Sequence, residues 1–281
     1  MTEYGLVFCG GGGRGAYQIG VWKTLERFGL ARFVTAVSGT SVGALNAALF
    51  CSVSVYKAEK IWNSISQQEI ADPVSAAGRV IGSIVDFARS DDRKIDRARI
   101  GAALDSGLFS RGGLVGLIKE NGINTALTGS DIPCFACLHN MAWGAAEYFD
   151  MRAYPPGTVT DLLLASTAIP AVFSPVEIGG TLYRDGGLSD NIPVKPLYDI
   201  GLRRFIISYL GGEAVDKSQF PDSEFIEIYP SDDIYLGERN TGILNNGTLD
   251  FSGKNAARRI SLGEIESAAA LTMIGRLRGG R

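Results

Sequence analysis

The first fifty residues run apolar segment, glycine loop, helical segment, apolar segment, glycine turn, helical segment, and nothing else in the chain restricts the fold as strongly. Leu6-Val7-Phe8-Cys9 leads into Gly10-Gly11-Gly12-Gly13-Arg14-Gly15. A helix is predicted from about Ala16 to Phe28, with Tyr17, Val21, Leu25 and Phe28 on one face and Gly29 as its C-terminal cap. The second run, Phe33 to Val37, reaches Gly39-Thr40-Ser41-Val42-Gly43 and then an Ala/Leu-rich segment. Short continuous apolar runs of this kind suit strands buried on both faces. Strand, helix, strand, helix in this order predicts a parallel βαβ unit.

Beyond it, Ala58, Ile61, Trp62 and Ile65 mark a second amphipathic helix. Residues 66–130 are less regular and read as a variable insertion of helices and loops. Ala77, Val80, Ile81, Ile84, Val85 and Ala88 form a helical stripe, and a mixed-charge run follows from Arg89 to Arg99. Such an insertion suits either a lid over a site or a packed helix with a solvated charge run. A short helix is expected from Gly112-Gly113 to Lys119. Strands are expected over Cys134–Leu138 and Glu147–Met151. Pro155-Pro156-Gly157 reads as a loop, and Thr158-x-x-Asp161 as a capping box for a helix from Leu162 to Ala168. Val176-Glu177-Ile178, Gly179-Gly180 and Thr181-Leu182-Tyr183 form a hairpin that leads to Asp185-Gly186-Gly187. Further strands are expected over Arg203–Leu210 and Phe225–Tyr229, with a closing helix from about Lys254 to Ala270. No repeat or linker divides the chain, so the expectation is one α/β domain over 1–281: three layers, α/β/α, with a largely parallel central sheet.

A formal net charge of −3 and the absence of any Lys/Arg run give no footing for a nucleic-acid partner. Met1-Thr2-Glu3-Tyr4-Gly5 lacks the basic region and apolar core of a signal peptide, and no apolar stretch is long enough to span a bilayer. The expected location is therefore cytoplasmic, with peripheral membrane contact at most. Cys134 and Cys137 make a C-x-x-C, but residues three apart on a strand face opposite sides, and no second pair completes a metal site. Buried free thiols are expected, with no metal and no cofactor.

Four features bear on chemistry. Gly10, Gly12 and Gly15 fit G-x-G-x-x-G after a strand, a setting that suits a dinucleotide, yet the second strand ends without the acid that would hold a ribose. The same loop suits an oxyanion hole, because N–H groups at a helix start are good donors. Ser41 in G-x-S-x-G is either a nucleophile on a sharp turn or a buried or capping serine. The lone histidine, His139, sits at a strand end outside both motifs, which leaves a Ser-His-Asp triad without support. Asp185 lies in an ordinary Asp-Gly turn and needs burial to become a useful base.

Taken together and in order, the loop Gly10 to Gly15, the elbow Gly39 to Gly43, the stretch Ala165 to Pro175 and Asp185-Gly186-Gly187 resemble the patatin-like phospholipases. The resemblance spans about Leu6 to Val194, with a weaker trace at Leu249-Asp250-Phe251-Ser252; residues 66–130 match no motif of the family. It implies a Ser-Asp dyad, in which Ser41 is the nucleophile and Asp185 activates it. It also implies an oxyanion hole from Gly10, Gly11, Gly12, Gly13, Arg14 and Gly15, with Gly39 and Gly43 shaping the elbow. The implied reaction is hydrolysis of a phospholipid or other lipid acyl ester through an acyl-serine, with transient contact to the membrane surface. Acyl transfer through the same dyad is one alternative; a nucleotide-binding module built on the glycine loop is another.

Overall fold

The expected βαβ unit opens the chain in a computed structural model that describes residues 3–65, 111–170, 172–236 and 247–279, plus the backbone of 72–73 and 109–110. Strand β1 (Tyr4–Phe8), helix α1 (Ala16–Arg27), strand β2 (Val34–Thr40) and helix α2 (Val42–Ser52) follow in sequence. β1 and β2 are parallel, with Val7 opposite Ser38 and Phe8 opposite Gly39. Their carboxyl ends therefore lie side by side, and the glycine loop and Ser41 leave the sheet as neighbours. In open α/β sheets that edge is where ligand sites form.

Helix α3 (Val55–Ser64) is capped by Ser54, whose hydroxyl accepts from Lys57 N–H. Helices α4 (Gly112–Glu120) and α5 (Ile123–Leu127) lead to β3 (Cys134–Asn140) and β4 (Ala145–Asp150). Helix α6 (Pro156–Ser166), the hairpin β5 (Val176–Ile178) and β6 (Thr181–Asp185), helix α7 (Lys195–Asp199), β7 (Arg204–Ser208), β8 (Glu224–Ile228) and helix α8 (Gly253–Gly279) complete the order. One eight-stranded sheet runs β8-β7-β1-β2-β3-β6-β5, with β4 on β3. Its first five strands are parallel, and β4, β5 and β6 add antiparallel pairs. The sheet is thus largely parallel, as expected, with an antiparallel end.

Strand β3 decides where that end begins. β2 pairs in parallel with Cys134 to Cys137, and β6 pairs antiparallel with Leu138 to Asn140. β4 pairs with Phe135 to Asn140 throughout. A strand has only two edges, so β4 occupies one, and β2 and β6 share the other end to end. Thr40 lies opposite Cys137 and Asp185 opposite Leu138. The carboxyl ends of β2 and β6 thus meet head-on.

Apolar side chains fill both faces of the sheet. The larger cluster joins Leu6, Phe8 and Val37 to Tyr17, Trp22, Leu25, Trp62 and Leu163; the smaller one joins Val7, Ala36, Leu197, Phe205 and Ile207. Leu114, Ile118, Ile123 and Leu127 are buried in the larger cluster, so the 111–127 part of the expected insertion is core helix. The stripe from Ala77 to Ala88 and the charge run after it fall outside the described residues.

Two expectations are corrected, and one short helix is added to the irregular stretch. The Pro155-Pro156-Gly157 loop and the Thr158 capping box give way to a helix that starts at Pro156 and ends at Ser166, not Ala168. Proline at the first helical position loses no needed N–H and its φ already fits. Helix α5 breaks the stretch after Gly122, which enters the left-handed region at φ 67°. The closing helix runs to Gly279; beyond Ala270, Leu271 still belongs to the larger cluster and Ile274 packs against it. Among the described residues no helix is long and apolar enough to cross a membrane.

Candidate active site

Ser41 occupies the turn between β2 and α2 with φ 56° and ψ −127°, a backbone conformation that L-residues other than glycine rarely take. Its hydroxyl makes no capping bond to α2, so the capping reading of this serine does not hold. The flanking glycines make the turn possible. A Cβ on Gly39 would lie 2.1 Å from the Gly43 carbonyl oxygen, and one on Gly43 would lie 2.1 Å from that of Phe8. A third contact fixes the turn from below: Ser41 N–H donates to Ser166 Oγ (2.9 Å), which donates to the Cys137 carbonyl (2.8 Å). Ser166 therefore ties the elbow to the point on β3 where β2 ends and β6 begins.

Asp185 closes β6 and is 6 % exposed. Oδ1 accepts the Gly187 N–H at 2.8 Å. Oδ2 is buried and accepts no hydrogen bond among the described residues, which is rare for a buried carboxylate. Burial pushes the carboxyl up to about 6; Ser41 and the Gly187 N–H pull the other way. Ser41 is thus near enough to act on Asp185 electrostatically, although no hydrogen bond of ordinary geometry joins Oγ to Oδ2. The loop after Asp185 is bolted to the sheet. Thr40 Oγ1 donates to the Asp190 carbonyl (2.8 Å), Ser38 Oγ to that of Pro193 (2.6 Å), and Tyr148 to Asp190 Oδ2 (2.6 Å).

The glycine loop lies beside Ser41, and its N–H groups are not equivalent. Gly10 N–H donates to the Asn191 carbonyl (3.3 Å) and Gly13 N–H to that of Thr248 (2.8 Å). Gly12, at φ 59°, and Gly13 pack so closely on 247–250 that a Cβ on either would meet a backbone oxygen at 2.0 Å. Arg14 turns away from Ser41. Its Nε donates to the Gly11 carbonyl (3.1 Å) and Nη1 to that of Leu210 (2.8 Å). Arg14 thereby holds the Gly11–Gly12 peptide, whose N–H belongs to Gly12. Burial lowers the pKa of its guanidinium, with Tyr235 and Glu213 opposing. The packing of Gly12 and Gly13 on 247–250 and the missing acid at the end of β2 both count against the dinucleotide reading.

Two cavities lie at this edge. Gly12 and Ser41 line a narrow crevice of about 30 Å³ whose other walls include Leu45, Leu114, Phe173 and Phe251. Gly10 and Arg14 line a polar cavity of about 190 Å³ with Asn191, Glu213, Tyr209 and Tyr235. A wider cavity of about 760 Å³, between Trp22, Phe50 and Val53, lies near the far ends of α1 and α2 and touches none of these groups.

His139 contacts Ser189 Oγ through Nδ1 and bonds to neither Ser41 nor Asp185. Cys134 and Cys137 are buried free thiols, raised by burial, and the described residues hold no group of potential metal ligands. The sequence assigns no role to three contributors: Ser166, although it lies in the Ala165 to Pro175 stretch, Asn191 and Arg259. Asn191 stands six residues after Asp185 in the same loop, but only the folded chain brings it back over Gly10. Arg259, fully buried on α8, pairs with Asp250 Oδ2 (3.1 Å) and donates to the carbonyls of Asp250 (3.0 Å) and Gly13 (3.4 Å). It pins 247–250 against the glycine loop.

The family model for patatin-like phospholipases matches residues 6–198, and the chain belongs to that family. Lysophospholipase NTE1 of Cryptococcus neoformans is 24 % identical over 213 residues, covering 74 % of this chain and 11 % of that protein. An uncharacterized NTE family protein of Mycobacterium tuberculosis is 28 % identical over 192 residues, covering 68 % and 27 %. The chain thus spans only about a tenth to a quarter of these relatives. Among solved structures, VipD of Legionella pneumophila aligns over 97 % of this chain and 67 % of its own, with a TM-score of 0.55 and 15 % identity. That likeness concerns the fold.

Proposed function

We propose that this protein hydrolyses lipid acyl esters, as a phospholipase A or lysophospholipase, through Ser41 as nucleophile and Asp185 as its base. One observation carries the reading: a strained serine without a capping bond sits beside a buried carboxyl held at about 6, with one oxygen unpartnered. A base near neutrality is matched to accepting a proton at physiological pH. Asp185 takes the hydroxyl proton while Oγ attacks the ester carbonyl. The oxyanion falls to the N–H groups of Gly11 and Gly12, which Gly10 and Gly13 N–H cannot join because Asn191 and Thr248 already hold them. Arg14 supports the hole by fixing the Gly11–Gly12 peptide. The alcohol leaves with the proton from Asp185, and water then cleaves the acyl-serine by the same route in reverse.

Contact with the lipid surface is the other half of the proposal. Met141 and Trp143, in the turn after β3, are 40 % and 75 % exposed, and Leu182 on adjoining β6 is 43 % exposed. Met141 N–H donates to the Leu182 carbonyl, so the three share one end of the sheet. Trp is favoured where water meets lipid. The experiment is labelling by a fluorophosphonate together with fatty-acid release from phospholipid vesicles. Ser41→Ala should abolish both with the circular dichroism unchanged; labelling that survives in Ser41→Ala would remove the assignment.

A further inference from the structure

Asn191 lines the polar cavity beside Gly10 and Arg14. Its Nδ2 donates to Glu213 Oε2 at 2.9 Å. A carboxylate is acceptor-only, so this bond dictates which way the amide faces: Nδ2 toward Glu213, Oδ1 toward the dyad. Oδ1 sits over the loop, because a Cβ on Gly10 would meet it at 2.3 Å and Ser41 Cβ at 3.3 Å. It also sits beside Asp185, since a Cβ on Gly187 would meet Asp185 Oδ1 at 3.0 Å and Asn191 Oδ1 at 3.3 Å. Both neighbouring positions are glycine, so neither puts a side chain between the amide oxygen and Ser41 or Asp185. The polar cavity of about 190 Å³ that Asn191 borders is roomy enough for several waters.

We infer that Asn191 Oδ1, held in place by Glu213, positions the water that cleaves the acyl-Ser41 and so favours hydrolysis over transfer to an alcohol. The inference rests on the dyad proposed above. In deacylation the water oxygen forms a bond to the acyl carbonyl carbon, and one water proton passes to Asp185. The other water hydrogen donates to Asn191 Oδ1. Collapse of the intermediate breaks the bond between that carbon and Ser41 Oγ, Asp185 returns its proton to Oγ, and the carboxylic acid leaves. An attacking alcohol has one hydroxyl hydrogen, which Asp185 takes, and none is left for Asn191. The amide oxygen therefore discriminates between the two acceptors by hydrogen count. Asn191 is a catalytic residue in this scheme, and Glu213 a positioning residue.

The test follows p-nitrophenyl butyrate by stopped flow, with methanol added as competing acceptor and both acyl products quantified. In Asn191→Ala, fluorophosphonate labelling of Ser41 and the nitrophenol burst persist. Steady-state turnover falls by about tenfold to a hundredfold, the size expected for a mispositioned reactant. The ratio of methyl butyrate to free butyrate rises. Glu213→Gln moves the same ratio in the same direction by less, because glutamine can present either its oxygen or its NH₂ to the amide and lets it turn over. Glu213 is exposed, so that variant carries the test if Asn191→Ala does not fold. An unchanged product ratio in a folded variant, or burst and turnover falling by one factor, would overturn the inference. Failure of wild-type Ser41 to label at all would instead sink the dyad, and this inference with it.

Discussion

Ser41 follows the last residue of β2 and Asp185 is the last residue of β6, and these strands approach each other head-on along one edge of β3. Neither residue needs a long loop to reach the other. The pairing register does it, with Thr40 opposite Cys137 and Asp185 opposite Leu138. Ser166 closes the junction by holding Ser41 N–H and the Cys137 carbonyl at once. His139 lies apart from both, against Ser189, so the dyad proposed above takes no part from it.

Burial of Asp185 sets both a pH profile and a stability cost. Its carboxyl titrates near 6 in the folded chain against an ordinary value of 3.8. If Asp185 is the base proposed above, kcat/KM should climb through pH 6 and level off above it. The folded state binds the proton more tightly than the unfolded state. Ionisation therefore begins to oppose folding above about pH 4 and does so fully above about pH 6. The gap corresponds to about 3 kcal/mol. Asp185→Asn should be inactive, yet melt higher than wild type at pH 8, with the difference closing toward pH 4. Equal melting temperatures across that range would show that the carboxyl is not strained by burial.

The elbow glycines are fixed by sterics rather than by chemistry. A Cβ at position 43 meets the Phe8 backbone oxygen, which cannot yield without parting β1 from α2. Gly43→Ala should lose about 3 kcal/mol in urea denaturation. Gly157, in α6, has open space where its Cβ would be. Gly157→Ala should therefore change stability by less than about 1 kcal/mol, in the stabilising direction. Similar losses at both positions would mean that helix propensity, not close approach, governs Gly43.

How much of this was legible in the sequence depends on range. The βαβ unit, the hairpin at Gly179-Gly180 and the residues of the loop and elbow are local patterns, and each stands where its pattern placed it. The Pro156 helix start was local too, but two prolines and a glycine read equally well as a loop. What remained hidden is long-range pairing. No periodicity says that β6 shares an edge of β3 with β2. Nothing in Asn191 itself says that it returns over Gly10. Arg259, charged and on a helix, resembles a surface residue until its partner Asp250 and the carbonyls around it are brought together.

That buried arginine provides a further prediction. Burial alone would raise the carboxyl of Asp250, but Ser252, Asn255 and Arg259 outweigh it and hold the group below its ordinary range. Arg259→Ala leaves this carboxylate without its cation, and breaking such a pair costs about 3–5 kcal/mol. It also frees 247–250, on which Gly12 and Gly13 rest. The variant should unfold at lower urea and, where still folded at low temperature, show reduced kcat with little change in KM. Wild-type kcat in folded Arg259→Ala would mean that the oxyanion loop does not depend on this support.

The Trp143 turn allows lipid binding to be separated from chemistry. β3 ends at Asn140, two residues beyond the Leu138 that faces Asp185, and a strand rises about 3.3 Å per residue. Trp143, in the turn that follows, sits beyond the level of the proposed dyad, at the end of the sheet toward which β2 runs and from which β6 descends to Asp185. A bilayer touching Trp143 would present its ester region near Ser41 without burying the elbow itself. Trp143→Asp replaces an interfacial anchor with a charge that lipid disfavours. The fraction bound to phosphatidylcholine vesicles should fall at least about tenfold, which is about 1.4 kcal/mol. Hydrolysis of soluble p-nitrophenyl butyrate should be unchanged, because the side chain points into solvent and supports no residue of the site. Undiminished vesicle binding would move the lipid contact to another face; parallel loss of soluble-ester activity would make the turn part of the catalytic scaffold.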